Sequence, residues 1–181
     1  MILPDLLAPN LDIIFCGTAV GAESARRRAY YAGPGNAFWP TLYRVGLTDR
    51  QLPPDDYARL LDFGIGLTDL AKEISGNDDI LSREHFNIER LRSLIRRYRP
   101  RIVAFTSKRA AREYLGRPVD YGPQVEREGE TILFALTSPS GAACKYWSTA
   151  PWQQLADLRA SLQANDEKSL SGNEPKPLAR L

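Results

Sequence analysis

The sequence predicts a three-layer α/β/α sandwich around a central, mostly parallel sheet. Three observations carry that expectation. Short continuous apolar runs recur at 11–16, 101–106 and 131–137, as in strands buried on both faces. Amphipathic helical patterns fill the intervals between them. Helix and strand therefore alternate, the order that builds a parallel sheet covered on both sides.

The first strand, Leu11-Asp12-Ile13-Ile14-Phe15-Cys16, empties into Gly17-Thr18-Ala19-Val20-Gly21. Two glycines there let a loop turn sharply and bring backbone N–H groups close to a ligand. Next comes Tyr30-Tyr31-Ala32-Gly33-Pro34-Gly35-Asn36, where Asn36 stands as the N-cap of a helix over 37–46. That helix carries Phe38, Leu42 and Val45 on one side, with Phe38 and Trp39 expected in the core. The same turn suits a planar heterocycle, with an aromatic ring to stack on and an amide to read a polar edge. Residues 63–70 form a further strand-like stretch ending near Asp69, which could cap the next helix or do chemistry. Over 88–99, Ile88, Leu91, Leu94, Ile95 and Tyr98 make an apolar stripe, with Arg90, Arg92, Arg96 and Arg97 opposite. Pro100 stops that helix and strand 101–106 begins at once. A short helix runs over 107–115, and strand 131–137 empties into Ser138-Pro139-Ser140-Gly141. The last helix, 149–164, turns Trp152, Leu155, Leu158 and Leu162 inward. From Asn165 the composition becomes polar, so residues 165–181 are expected to be a disordered tail on a domain of residues 1–164.

At 181 residues, 43% hydrophobic and 25% charged, the chain has the composition of one soluble globular domain. A net charge of +2, from 24 basic and 22 acidic side chains, neither demands nor excludes a nucleic-acid partner. Cys16 and Cys144 cannot make a disulfide framework or a four-cysteine metal site, and Cys16 reads as a small buried side chain. His85 lacks histidine or cysteine neighbours at ligand spacing and reads as solvated, so no metal and no cofactor are expected. Arg26-Arg27-Arg28 reads as a solvated face. No apolar run is long enough to span a bilayer, and Pro4, Asp5 and Pro9 interrupt the N-terminus. A cytoplasmic monomer with no membrane partner is expected.

Two apolar strands that each empty into a Gly/Ser/Pro loop predict two loops side by side at the carboxyl edge of the sheet. Open α/β sheets bind ligands at that edge. Neither G-x-G-x-x-G nor the phosphate-loop lysine pattern is present, which lowers the common nucleotide readings. Together with Leu3-Pro4-Asp5-Leu6-Leu7, Pro34-Gly35-Asn36-Ala37-Phe38-Trp39, Val45-Gly46-Leu47, Gly64-Ile65-Gly66-Leu67-Thr68 and Tyr98-Arg99-Pro100-Arg101-Ile102, the loops resemble a known family. It is that of the mismatch-specific uracil-DNA and thymine-DNA glycosylases, within the uracil-DNA glycosylase superfamily. The resemblance covers most of residues 2–148. It implies a DNA repair enzyme that flips uracil, or another deaminated or modified base, out of DNA and hydrolyses its N-glycosidic bond. An abasic site is left behind.

The chain departs from that pattern at both loops. The family's first motif runs Gly-Ile-Asn-Pro-Gly, and its Asn positions the attacking water. Here the run is Gly17-Thr18-Ala19-Val20-Gly21, and the methyl group of Ala19 can neither donate nor accept a hydrogen bond. The second motif commonly reads Asn-Pro-Ser or Met-Pro-Ser before a wedge residue. Here Ser138-Pro139-Ser140 precedes Gly141-Ala142-Ala143-Cys144, so Lys145 or Tyr146 is left to fill the vacated stack. A carboxylate can replace the missing Asn by stabilising the sugar cation or deprotonating water. Asp69 is the first candidate, because it follows the strand-like segment whose end faces the base pocket in relatives. Glu23, inside the motif loop, is the second. Base binding is expected of Gly17, Thr18, Ala19, Gly21, Tyr31, Asn36 and Ser138, with Tyr31 stacking and Asn36 hydrogen-bonding. DNA contacts are expected of Ser140, Gly141, Ala142 and Lys145. Two rival readings are a catalytically weak damaged-DNA-binding protein of the same fold and a nucleoside or nucleotide hydrolase.

Overall fold

Alternating side chains on the first strand decide how the layers form. In the computed structural model, which describes residues 2–76 and 78–171, β1 runs Ile13–Val20. Ile13 and Phe15 join Phe38, Trp39 and Leu42 of α2 (Phe38–Arg44) and Trp152 and Leu155 of α5 (Ala150–Ser171). Ile14 and Cys16 turn the other way, onto Leu91 and Ile95 of α3 (Ile88–Tyr98) and Ala110, Ala111 and Tyr114 of α4 (Lys108–Leu115). A strand period of two thus feeds two cores, one on each face, and the three-layer expectation is borne out.

Among the described residues the sheet has five strands in the order β2-β1-β3-β5-β4. β2 (Ile65–Ser75), β1, β3 (Ile102–Phe105) and β5 (Thr131–Ala135) are parallel, and β4 (Gly122–Glu128) is antiparallel to β5. β4 escaped the sequence reading because Gly-Pro-Gln-Val-Glu-Arg-Glu carries no apolar run. As an edge strand it needs none: Val125 is 94% exposed, and its charges discourage further pairing. From β1 the chain goes outward to β2 and then crosses back to β3 on the other side. That reversal of winding opens the crevice between the carboxyl ends of β1 and β3.

Two expectations at this edge are corrected. The strand foreseen over 63–70 extends to Ser75, and it draws β1 on past Cys16. Gly17 pairs with Asp69 and Ala19 with Ala71, so residues 17–20 are strand, not loop. Helix α1 (Ala22–Arg27) follows directly after Gly21. At the outer edge of β2, the Ile2 and Leu6 N–H groups donate to the Lys72 and Leu67 carbonyls, each at 2.9 Å. Residues 2–6 therefore form a strap along that edge.

The helix expected over 149–164 continues to Ser171, so residues 165–171 of the expected tail are helical. Apolar burial does not hold this extension, since Leu170 is 77% exposed. Asp166 pairs with Arg101, and the Ser169 hydroxyl donates to the Asn165 carbonyl at 3.0 Å. Residues 172–181 lie outside the described residues. Among the described residues, no helix is long and apolar enough to cross a membrane.

Candidate active site

The segments after β1 and β5 are not neighbours, because β3 lies between those strands. Thr106 and Ser107, just beyond β3, separate them, and all three segments line one cavity of about 650 Å³. Its wall includes Gly17, Thr18, Ala19, Gly21, Glu23, Tyr31, Asn36, Asp69, Ser138, Ser140, Gly141 and Ala142. Lys145 is not in that wall. It is exposed, like Tyr146, on a 3-10 helix, Gly141–Tyr146.

Asp69 gets its place from a missing side chain. A Cβ on Gly17 would lie 2.6 Å from Asp69 Oδ1, 3.6 Å from Thr106 Oγ1 and 3.7 Å from the Tyr31 hydroxyl. Three oxygens from β2, the end of β3 and the loop after α1 therefore converge on one glycine. Asp69 is 3% exposed, and its Oδ2 accepts no hydrogen bond. The Lys72 ammonium stands 3.7 Å from that oxygen. Burial pushes the Asp69 carboxyl up to about 6; Lys72 pulls it down and Asp5 pushes it further up.

Lys72 is itself 5% exposed. It pairs with Asp5 Oδ1 at 3.0 Å and donates to the Tyr30 hydroxyl at 3.1 Å. Arg90 binds the other Asp5 oxygen and donates to the Asp69 carbonyl at 3.1 Å. The Thr68 hydroxyl donates to Asp5 at 2.8 Å. Arg90, read from the sequence as lying opposite the apolar stripe with the other arginines, is therefore turned into this network. Lys72 was missed because residues three apart on a regular strand face opposite ways. The β1–β2 register slips between Ala71 and Ser75, and Lys72 lies in that irregular stretch.

Glu23 is differently placed. Its carboxylate accepts two bonds from Arg26, at 2.9 and 2.6 Å, and that guanidinium holds its pKa below the ordinary value. Asn36 lies one residue before the formal N-cap, Ala37, yet its Oδ1 accepts the Phe38 N–H at 3.0 Å. The Tyr31 ring stacks on Phe38 with centroids 3.8 Å apart, which covers one face, and its hydroxyl meets Thr106 Oγ1 at 3.3 Å. Ser140 Oγ accepts the Ala142 N–H at 3.3 Å, and the Pro139 carbonyl accepts the Ala37 N–H at 2.8 Å. A Cβ on Gly141 would lie 2.7 Å from the Pro34 carbonyl oxygen, so the Gly-Pro-Gly turn and the Ser-Pro-Ser segment press together as one wall. Arg27 pairs with Asp55 on the surface, and His85 Nδ1 accepts the Ser82 N–H at 3.0 Å. Among the described residues, no group of three or more His, Cys, Asp or Glu converges as a metal site.

Fold and site together define an α/β protein with a crevice at the carboxyl ends of its parallel strands, large enough for a small ligand. The family profile of the uracil DNA glycosylase superfamily matches residues 4–159, and the chain belongs to that superfamily. The fold is similar, with a TM-score of 0.57, to the solution NMR structure of a candidate uracil DNA glycosylase from Methanosarcina acetivorans. That likeness covers 87% of this chain and 95% of the other at 22% sequence identity, and is one of fold.

Proposed function

We propose that this chain is a monofunctional DNA glycosylase of the mismatch-specific type. It removes uracil, and other deaminated or modified bases, flipped out of DNA and leaves an abasic site. One observation carries the reading: Asp69 is a buried carboxylate with an oxygen that accepts no hydrogen bond, in the cavity wall against the first glycine of the family's first motif. As the C1′–N bond breaks, its electron pair leaves with the base and positive charge builds on the sugar. Water supplies the oxygen that bonds to C1′, and ionised Asp69 orients that water and takes its proton. Backbone N–H groups of residues 17–24 and the Asn36 amide hold the departing anion. Tyr31 packs on the base with the face that Phe38 leaves open, and Ser138 borders the same ring. Ser140, Gly141, Ala142 and Lys145 meet the DNA strand.

Alanine at position 19 leaves more room than asparagine, so the pocket tolerates several lesions. Flipping costs least where pairing is already weak, which favours G·U and similar sites. Single-turnover excision from a labelled G·U duplex, read by alkaline strand cleavage, tests the assignment. Asp69→Ala should lower the rate by about 100-fold or more, whereas Glu23→Ala should cost less than about tenfold. If neither change slows folded protein by about tenfold, water activation lies elsewhere. DNA binding without abasic sites would favour the damage-binding reading. Activity on free nucleosides would favour the small-molecule hydrolase.

A further inference from the structure

The N-terminal segment is the least expected contributor to this site. Its backbone strap lies on the outer edge of β2, away from the segments that carry the family motifs. Yet its one acidic side chain, Asp5, reaches the same ammonium that faces Asp69. Lys72 Nζ is 3.0 Å from Asp5 Oδ1 and 3.7 Å from Asp69 Oδ2. The ammonium donates its hydrogen bond to the Tyr30 hydroxyl and pairs with the nearer carboxylate, Asp5, and Asp69 Oδ2 accepts no hydrogen bond. Asp5 is held in that position from three sides, by Lys72, Arg90 and the Thr68 hydroxyl.

We propose that the strap of residues 2–6 is a working part of the active site: Asp5 competes with Asp69 for the Lys72 ammonium, and that competition sets the protonation state of Asp69. The reading of Asp69 as the water-activating group is assumed here. Lys72 and Asp5 are positioning residues, since they act through Asp69.

The groups facing Asp69 sort by charge. Lys72 from β2 and Arg90 from α3 favour its ionised form, and Asp5 from the strap opposes it. Tyr30 and Tyr31 from the loop after α1, and Cys16 from β1, are all raised by burial and stay neutral at working pH. The Thr106 hydroxyl is uncharged. Burial is the largest influence on this carboxyl; beside it act three fixed charges, and the two held together by the 3.0 Å contact act in opposite directions.

That opposition gives a signature which simple loosening of the structure cannot mimic. Lys72→Met removes the favourable charge, so the Asp69 carboxyl should titrate about one to two pH units higher. Asp5→Asn removes a like charge and frees Lys72 to close on Asp69, so it should titrate lower, by about half a unit or more. The test is a carboxyl-carbon NMR titration of the full chain with isotope-labelled aspartate, the Asp69 signal being assigned by its loss in Asp69→Asn. It runs beside single-turnover excision over the same pH range. Shifts of opposite sign in the two variants, with the acidic limb of the rate profile following each, support the proposal. Shifts of the same sign, or none, overturn it. Carboxyl shifts of opposite sign with an unmoved rate limb leave the competition standing and remove Asp69 from water activation. Should Lys72→Met fail to fold, Asp5→Asn alone decides the matter by the direction of its shift, and Lys72→Arg should restore the wild-type limb.

Discussion

Adding one methyl group at Gly17 tests the central contact of the site. Its Cβ would stand 2.6 Å from Asp69 Oδ1, so a comfortable approach near 3.4 Å requires the carboxylate to retreat by about 0.8 Å. Asp69 is fixed at both ends of the problem: its backbone is in register with Gly17 in the ladder, and Arg90 holds its carbonyl. The side chain must therefore take the whole displacement. Two effects on stability oppose each other. Forcing a methyl into a filled space costs about 1–3 kcal/mol, while replacing a strand glycine returns roughly 0.5–1 kcal/mol of backbone entropy. The net destabilisation is about 0–2.5 kcal/mol, a fall in Tm of at most about 10 °C for a chain this long. Catalysis has no such offset. Moving a reacting group by nearly 1 Å costs on the order of 100-fold. Gly17→Ala should therefore fold, melt slightly early, and excise uracil from a G·U duplex about 100-fold more slowly in single turnover. Wild-type excision by a stably folded Gly17→Ala protein would refute the reasoning, because the carboxylate could then move freely without consequence.

The remaining predictions address the same pocket. Asp69 titrates at about 6 in the folded chain against an ordinary 3.8; its stability contribution is full below the lower value and lost as pH rises through the higher. Asp69→Asn should therefore abolish excision yet stabilise the fold at pH 8 by roughly 3 kcal/mol, with little gain near pH 4, in denaturant melts at both pH values. Asn36→Ala removes both the contact to the Phe38 N–H and the amide donors, so it should cost about 1 kcal/mol of stability along with excision. Asn36→Asp keeps an acceptor for that N–H but loses the donors, so its melting should stay near wild type while excision falls. Across duplexes carrying uracil, xanthine, hypoxanthine and ethenocytosine, more than one base should be excised, and activity confined to uracil would defeat the idea of a widened pocket.

Legibility in the sequence followed burial. The strands at 101–106 and 131–137 and the helix over 88–99 were readable because water is excluded from both faces of the former and one face of the latter. β4 was not, because an edge strand exposing Val125 has no apolar pattern to betray it. The end of β1 was misread for a related reason. Gly17 and Gly21 carry turn chemistry, but residues 17–20 take the extended form that β2 imposes through the Gly17–Asp69 and Ala19–Ala71 pairs. Pairing between distant segments leaves no local mark. The same holds for Lys72 and Asp5, whose meeting depends on an irregular stretch of β2 and on a strap that packs only when β2 is formed.

Of the two carboxylates that the sequence offered in place of the missing Asn, Asp69 ranked first and Glu23, inside the motif loop, second. Folding sets the two in different surroundings. Glu23 lies on a surface helix where Arg26 satisfies both its oxygens, so its charge is paired locally and its pKa is held below the ordinary value. Asp69, remote in sequence, comes to touch the first glycine of the motif through parallel pairing, and the surrounding apolar strands raise its affinity for a proton. A general base must be ionised at working pH yet basic enough to accept a proton. Of the two, the strand residue is the one whose carboxyl is raised toward that range, with Lys72 nearer to Asp5, at 3.0 Å, than to Asp69, at 3.7 Å. A carboxylate in full contact with that ammonium would be too weak a base. On the proposed reading, one left wholly without the ammonium would hold its proton more tightly in this burial, so the 3.7 Å separation from Lys72 bears on the chemistry.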